Sequence, residues 1–582
     1  MSINFQVVIP MSGFGERFRR AGYDVPKPLI EVDGRPIIGH VIDMFPGETD
    51  FIFICNEEHL ANLDYRMEKI LQELCPTGRI VGIPAHKLGP IYAVRQVEHL
   101  LDPARPVVVN YCDFSCYWDW NHFKSFVAKK ACAGAIPAYK GFHPHTLGTT
   151  NYAYMKEVPG VTPGQHSGFL QDIQEKQPYT DNRMDEYASS GTYYFASAKI
   201  MKETFAKTMD QNLNVGGEFY VSLAYKPLLA EGKKIAIYPL QHFMQWGTPD
   251  DLAEYKSWSQ TFRSLISCTS ADLRELNRAS GSLVIPMAGL GKRFADEGYA
   301  LTKPLIPVFG RAMAIQAIDD LPKAKYQSLV LRADMPGLAD IEASIRQQFP
   351  SAILTCVPGV TEGQACTALI GLDVLERFAS SEEAKLDSTA DAPIDPVTFG
   401  ACDNGVLFNQ NAYQELLDNP AVDVIVWGAR GHTNAIRKPQ MFGWIDADCN
   451  GVISNISVKT PLACPSTDPI VIGTFTFKKS SYARRAINAL ISRNGRINGE
   501  YYLDSCINDA IAIGLRCYLF EVDSFISWGT PNDLRTFEYW QSCFHKWSNH
   551  AYCLDIDSRV NPNELGNLCE SYSAIIPHMP EK

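Results

Sequence analysis

The chain has 582 residues, 46% hydrophobic and 20% charged, with 53 Lys and Arg against 65 Asp and Glu for a formal net charge of −12. Such a composition belongs to a folded protein of several domains and excludes a disordered, coiled-coil or collagen-like chain. The acidic balance disfavours nucleic acid as a partner, and no run of about 18 apolar residues offers a membrane span. The first residues carry neither the basic segment nor the apolar run of a signal peptide. The 16 cysteines lack paired CxxC spacing, so they read as reduced thiols of a cytoplasmic protein.

In chain order, residues 5–10, 51–55 and 106–111 are short apolar runs of the kind buried on both faces of a parallel sheet, separated by helical stretches. The first run leads into Ser12-Gly13-Phe14-Gly15-Glu16-Arg17. Glycines after a strand let backbone N–H groups approach phosphate oxygens, with a helix start adding positive potential; the plainer alternative is a tight strand-to-helix turn. Gly89 opens a helical stretch, and Asp113 follows the third strand, where a carboxylate can hold Mg²⁺ or form a turn. His143-Pro144-His145 lacks an evident third metal ligand and reads as a loop. Trp246-Gly247-Thr248-Pro249 then starts a helix, with Thr248 as cap and Pro249 as first residue.

The chain then repeats itself. Residues 7–18 recur as 283–294, with Gly13, Gly15, Arg17 and Lys27 matched by Gly289, Gly291, Arg293 and Lys303. Gly217-Glu218-Phe219-Tyr220 recurs as Gly499-Glu500-Tyr501-Tyr502, and Trp246-Gly247-Thr248-Pro249 as Trp528-Gly529-Thr530-Pro531. Several matches in one order at nearly constant offset mean a duplicated domain. The limits drawn are 1–265, a linker at 266–281, a second copy at 282–548 closed by a helix over residues 531–547, and an irregular tail at 549–582. Residues 1–265 and 281–582 are then expected to fold separately. No hexapeptide repeat follows either copy, which argues against an appended β-helix acyltransferase. The charged segment 380–395 reads as a solvated insertion.

Gly13-Phe14-Gly15-Glu16-Arg17, Pro26-Lys27-Pro28-Leu29 and Val32-Asp33-Gly34-Arg35-Pro36, with Gly289-Leu290-Gly291-Lys292-Arg293, Thr302-Lys303-Pro304-Leu305 and Val308-Phe309-Gly310-Arg311, resemble the signature of the sugar-phosphate nucleotidyltransferases. The resemblance implies two tandem Rossmann-like α/β domains of GT-A type, each a mainly parallel sheet flanked by helices. It implies a loop that cradles a nucleoside triphosphate through Ser12, Gly13, Gly15 and Gly89, or Ala288, Gly289, Gly291 and Gly363. Arg17, Lys27 and Lys176, and Arg293, Lys303 and Lys459, would act on the phosphates. Glu175, Gly191 and Glu218, with Gly473 and Glu500, would face the sugar, and Asp113 and Asp403 would hold Mg²⁺. Two departures stand out. Val458 replaces the acid that matches Glu175, and Gln245 and Ser527 occupy the positions of the family's second metal-binding Asp.

The implied activity joins a nucleoside triphosphate to a sugar 1-phosphate or related phosphorylated polyol, releasing pyrophosphate and forming a nucleotide sugar for polysaccharide or glycoconjugate synthesis. Two other readings stay open: one half a regulatory nucleotide-sugar sensor, or a glycosyltransferase, against which the lack of Asp-x-Asp after either strand argues. Base, sugar and homo-oligomeric assembly are left open.

Overall fold

The computed structural model describes residues 4–161, 165–267, 280–380 and 394–573. The linker at 266–281 and the insertion at 380–395 fall almost wholly outside the described residues. The chain divides into two compact units: unit 1 holds residues 1–260, 542–551 and 570–582, and unit 2 holds 261–541 and 552–569. Residues 542–551, assigned from sequence to the second copy and the tail, thus pack with the first. The tail is not irregular throughout, since Leu565–Ser573 is helical.

Unit 1 is built on a ten-stranded sheet. Four strands, Arg79–Ile83, Phe51–Asn56, Gln6–Met11 and Val107–Asn110, run parallel in that spatial order. Val7, Val8 and Ile9 in the central strand are completely buried, which explains their unbroken apolar run. Beyond them the sheet is mixed. Thr192–Phe195 joins antiparallel to Val107–Asn110, and Ala153–Pro159 pairs antiparallel with His166–Glu175. The expectation of mainly parallel sheets is corrected here. Ala153–Pro159 and His166–Glu175, joined by only a few residues, must run antiparallel, because a parallel return needs a crossover of a dozen or more.

Unit 2 repeats the plan. Ile353–Val357, Tyr326–Arg332, Ser282–Pro286 and Val397–Phe399 are parallel, and Ile470–Phe477 follows antiparallel. In each unit a short two-stranded antiparallel ribbon lies just past the parallel strand end: Phe114–Tyr117 pairs with His242–Gln245, and Asn404–Leu407 with Ser524–Ser527.

The limits of the units fall within two helices. Pro249–Ser267 belongs to unit 1 through residue 260, and Pro531–Lys546 to unit 2 through residue 541. Within unit 1, Trp547 is 5% exposed and its ring lies 5.6 Å from His40, 6.1 Å from Tyr255 and 6.2 Å from Trp246. His550 stacks on Phe544 and meets the Ser259 hydroxyl at 3.2 Å. A fragment ending at residue 265 lacks this packing. Among the described residues every cysteine is a free thiol, and no helix is long and apolar enough to cross a membrane.

Candidate functional site

Where the first strand of unit 1 ends, Gly15 takes φ 63°, ψ 31° and caps the helix Glu16–Arg20; Gly291, at φ 62°, caps Lys292–Asp296 in unit 2. The left-handed backbone favours glycine at both. The helices have only five residues, so their dipoles supply little potential and cations must supply the rest.

Those cations stand beside the loops. Lys27 Nζ donates to Asp113 Oδ2 at 2.7 Å, and Lys303 Nζ to Asp403 Oδ2 at 2.5 Å. Each side chain of the two pairs is 18–29% exposed. Burial acts to lower the pKa of each lysine, but the facing carboxylate outweighs it and the net shift is upward. Arg17 and Arg293 are exposed and close enough for their charge to oppose that of Lys27 and Lys303 respectively. Each unit therefore gathers one glycine turn, one lysine, one arginine and one strand-end aspartate.

The two-stranded ribbons bring the second-ligand positions alongside. Gln245 sits opposite Phe114 and Ser527 opposite Asn404, each one residue past the aspartate. The Trp246 N–H donates to the Asp113 carbonyl at 3.1 Å, and the Trp528 N–H to that of Asp403 at 2.9 Å. A Cβ on Gly247 would lie 2.7 Å from the Gln245 amide and 3.1 Å from Asp113 Oδ2, so both side chains border one space. At Gly529 the corresponding neighbours are Asp403 Oδ2 at 3.3 Å and Ser527 Oγ at 3.6 Å. This is a set of hard oxygen donors with one carboxylate per unit, and among the described residues no group of three or more His, Cys, Asp or Glu forms a metal cage. Such a set suits Mg²⁺ that takes its remaining oxygens from phosphates.

On the other flank, Lys176 (φ 59°) and Lys459 (φ 60°) both adopt left-handed backbone. Lys176 Nζ donates to the Tyr220 hydroxyl at 2.6 Å, and that hydroxyl donates to Glu218. Glu175 accepts from Ser222 at 2.5 Å; burial pushes its pKa up to about 6, against the pull of Ser222 and Lys176. Lys459 donates to the Met441 carbonyl and lies 5.9 Å from the Tyr502 ring, with Glu500 and Arg293 acting on its charge. Gly191 (φ 99°) lies against Tyr111 and Phe114, whereas Gly473 (φ 82°) lies against the much smaller Ala401.

Gly89 and Gly363 have a structural reason of their own. Gly89 (φ 87°) opens the helix Pro90–Val97, and a Cβ there would stand 2.6 Å from the Phe219 nitrogen; a Cβ on Gly363 would run into the Tyr501 backbone. Gly89→Ala combines strain with a backbone clash and should destabilise unit 1 by about 1–3 kcal/mol, measured by denaturant unfolding. The loop surroundings also differ. The Ser12 hydroxyl meets His86 Nε2 at 3.3 Å, while the Ala288 and Gly289 carbonyls accept from the buried Arg332 at 3.3 and 2.7 Å. His143 and His145 are buried beside Tyr139, whose hydroxyl meets His145 at 2.9 Å, as an aromatic loop cluster.

No family model matches the chain. It is 24% identical over 263 residues to the bifunctional protein GlmU of Alkaliphilus metalliredigens, a match covering 44% of this chain and 52% of that one. Over 107 residues it is 34% identical to the bifunctional protein GlmU of Burkholderia orbicola, covering 18% and 22%. Over these stretches the chain is similar to sugar-phosphate nucleotidyltransferases. The chain spans about half, or less, of the length of these curated relatives. Similar solved structures include a nucleoside-diphosphate-sugar pyrophosphorylase from Vibrio cholerae (21% identity, 43% of this chain and 99% of that one, TM-score 0.34). A UDP-glucose pyrophosphorylase complexed with UDP-glucose is another (16%, 45% and 99%, TM-score 0.36).

Sequence reasoning passed over Tyr220, Ser222 and Asp504. The offset of 282 that matches Glu218 to Glu500 also matches Ser222 to Asp504, and that was the available signal.

Proposed function

We propose that each unit transfers a nucleotidyl group from a nucleoside triphosphate to a phosphorylated sugar or polyol. A phosphate oxygen of the second substrate attacks the α-phosphorus in line, the bond to the bridging oxygen of the β-phosphate breaks, and pyrophosphate leaves with that oxygen. The observation carrying this reading is the lysine–aspartate pair beside a glycine turn, present in both units at 2.7 and 2.5 Å. Such a transfer needs positioning and positive charge more than a covalent nucleophile.

In this reading Lys27 with Arg17, and Lys303 with Arg293, neutralise the triphosphate. Lys176 and Lys459 take the incoming phosphate, and Glu175, Gly191, Glu218, Gly473 and Glu500 form the walls on the sugar side. Asp113 and Asp403 would hold Mg²⁺, assisted by Gln245 and Ser527; when bound, the ion offsets charge developing on the phosphates. The contrasts Tyr111 against Ala401 and Ser12 with His86 against Ala288 favour different substrates for the two units. The test is a pyrophosphate-release panel pairing each common triphosphate with sugar 1-phosphates and polyol phosphates. Silence across the panel overturns the reading.

The metal has its own test. One protein carboxylate per unit should bind Mg²⁺ weakly and mostly through bound nucleotide. Asp113→Asn should raise the Mg²⁺ concentration for half-maximal rate and lower the maximum, and Gln245→Asp should tighten metal binding even without nucleotide. Full activity in excess chelator would remove the ion from the mechanism.

A further inference from the structure

Val458 leaves unit 2 without the acid that Glu175 supplies in unit 1, yet the surrounding substitutions form a matched set. In unit 1, Glu175 pairs across the sheet with Ala153, and its carboxylate accepts from Ser222 on the neighbouring 3₁₀ turn Val221–Ala224. In unit 2 the cross-strand partner of Val458 is Gly443, and Asp504 stands in the helix Leu503–Ala512 where unit 1 has Ser222. The strand-end frames agree: the Lys176 N–H donates to the Tyr152 carbonyl at 2.8 Å, and the Lys459 N–H to that of Phe442 at 3.0 Å.

Gly443 has no positive φ, so backbone conformation does not require glycine there. Space does. A Cβ at Gly443 would stand 2.5 Å from Asp504 Oδ2. The alanine of unit 1 would therefore collide with the carboxylate, and the glycine makes room for it. Ala, Glu and Ser in unit 1 become Gly, Val and Asp in unit 2, with one acid and one lysine kept at each place.

We propose that Asp504 is the substrate-recognition acid of unit 2, its carboxylate accepting hydroxyls of the phosphorylated sugar or polyol whose phosphate Lys459 binds. The inference rests on the nucleotidyltransferase reading of that site. Supporting it, Asp504 and Glu175 are both partly exposed, both are pushed by burial up to about 6, and both are drawn back by the adjoining lysine. Because the acid reaches the site from a helix instead of the strand, it meets the substrate from another side. The two units then read different hydroxyls.

The experiment uses the full chain carrying Lys27→Ala, which silences unit 1, and measures pyrophosphate release on the panel. Adding Asp504→Asn, which keeps the shape and should leave the thermal transition in place, is expected to raise KM for the phosphorylated sugar at least tenfold. KM for the triphosphate should stay within twofold. Gly443→Ala with Val458→Glu and Asp504→Ser, which transplants the unit 1 arrangement, should recover turnover and shift it toward the sugars unit 1 prefers. A wild-type chain silent on the whole panel overturns the parent reading. Unit 2 turnover that Asp504→Asn leaves unchanged overturns this assignment alone, as does a Lys27→Ala chain with no turnover beside an active wild type.

Discussion

Lys27→Ala in the full chain should remove the activity of unit 1, and Lys303→Ala that of unit 2, each by about 10²–10³ in rate. A charge-assisted contact made to a transition state contributes roughly 3–4 kcal/mol in a preorganised site. The structure adds a second consequence, because each ammonium also neutralises the aspartate beside it. Alanine leaves Asp113 or Asp403 partly buried without its partner, so some stability is lost as well, on the order of 1–3 kcal/mol. The double variant Lys27→Ala with Asp113→Asn separates the effects: stability should return while turnover does not. Unit-specific pyrophosphate release and thermal unfolding, measured together, check both parts. A loss below threefold on every substrate would sink the assignment.

Trp547→Ala should unfold unit 1 far more easily, although residue 547 is nearly 300 positions from the motifs of that unit. The ring is 5% exposed and packs on His40, Trp246 and Tyr255. Truncating a buried aromatic of this size costs about 3–5 kcal/mol. For a domain of this size that amounts to a fall of roughly 6–20 °C in transition temperature. Trp246 directly precedes Gly247, which borders Asp113 and Gln245, so the Mg²⁺ requirement of unit 1 should rise too. An unfolding curve that overlays wild type would remove residues 542–551 from the core of unit 1.

Sequence made the strand ends and their charged residues legible because backbone chemistry ties them to short words. Gly15 and Gly291 take a left-handed backbone that favours glycine, and Lys27 and Lys303 stand a fixed step beyond them. The loss of an acid at Val458 was legible in the same way. Its counterpart was not, because Asp504 lies 46 residues further on a different element, and only three-dimensional proximity to Gly443 connects the two. The parallel strands were readable from apolar runs. The mixed character of the sheet was not, since an apolar run carries no direction. Residues 531–547 were rightly read as one helix, but a continuous helical pattern holds no mark where its packing partner changes at residue 542.

The composition of unit 1 also sets an order of events during synthesis. Its first 260 residues emerge together, but the segment that covers Trp246 and Tyr255 follows only after about 280 more. At roughly 5–20 residues per second the nascent unit waits about 15–60 s for Trp547. Through that interval His40, Trp246 and Tyr255 lack the cover that Trp547 gives them. A ribosome that stalls anywhere in the second copy releases a first copy that is complete in its motifs and open in its core. The full packing of unit 1 is thereby conditional on translation reaching residues 542–551.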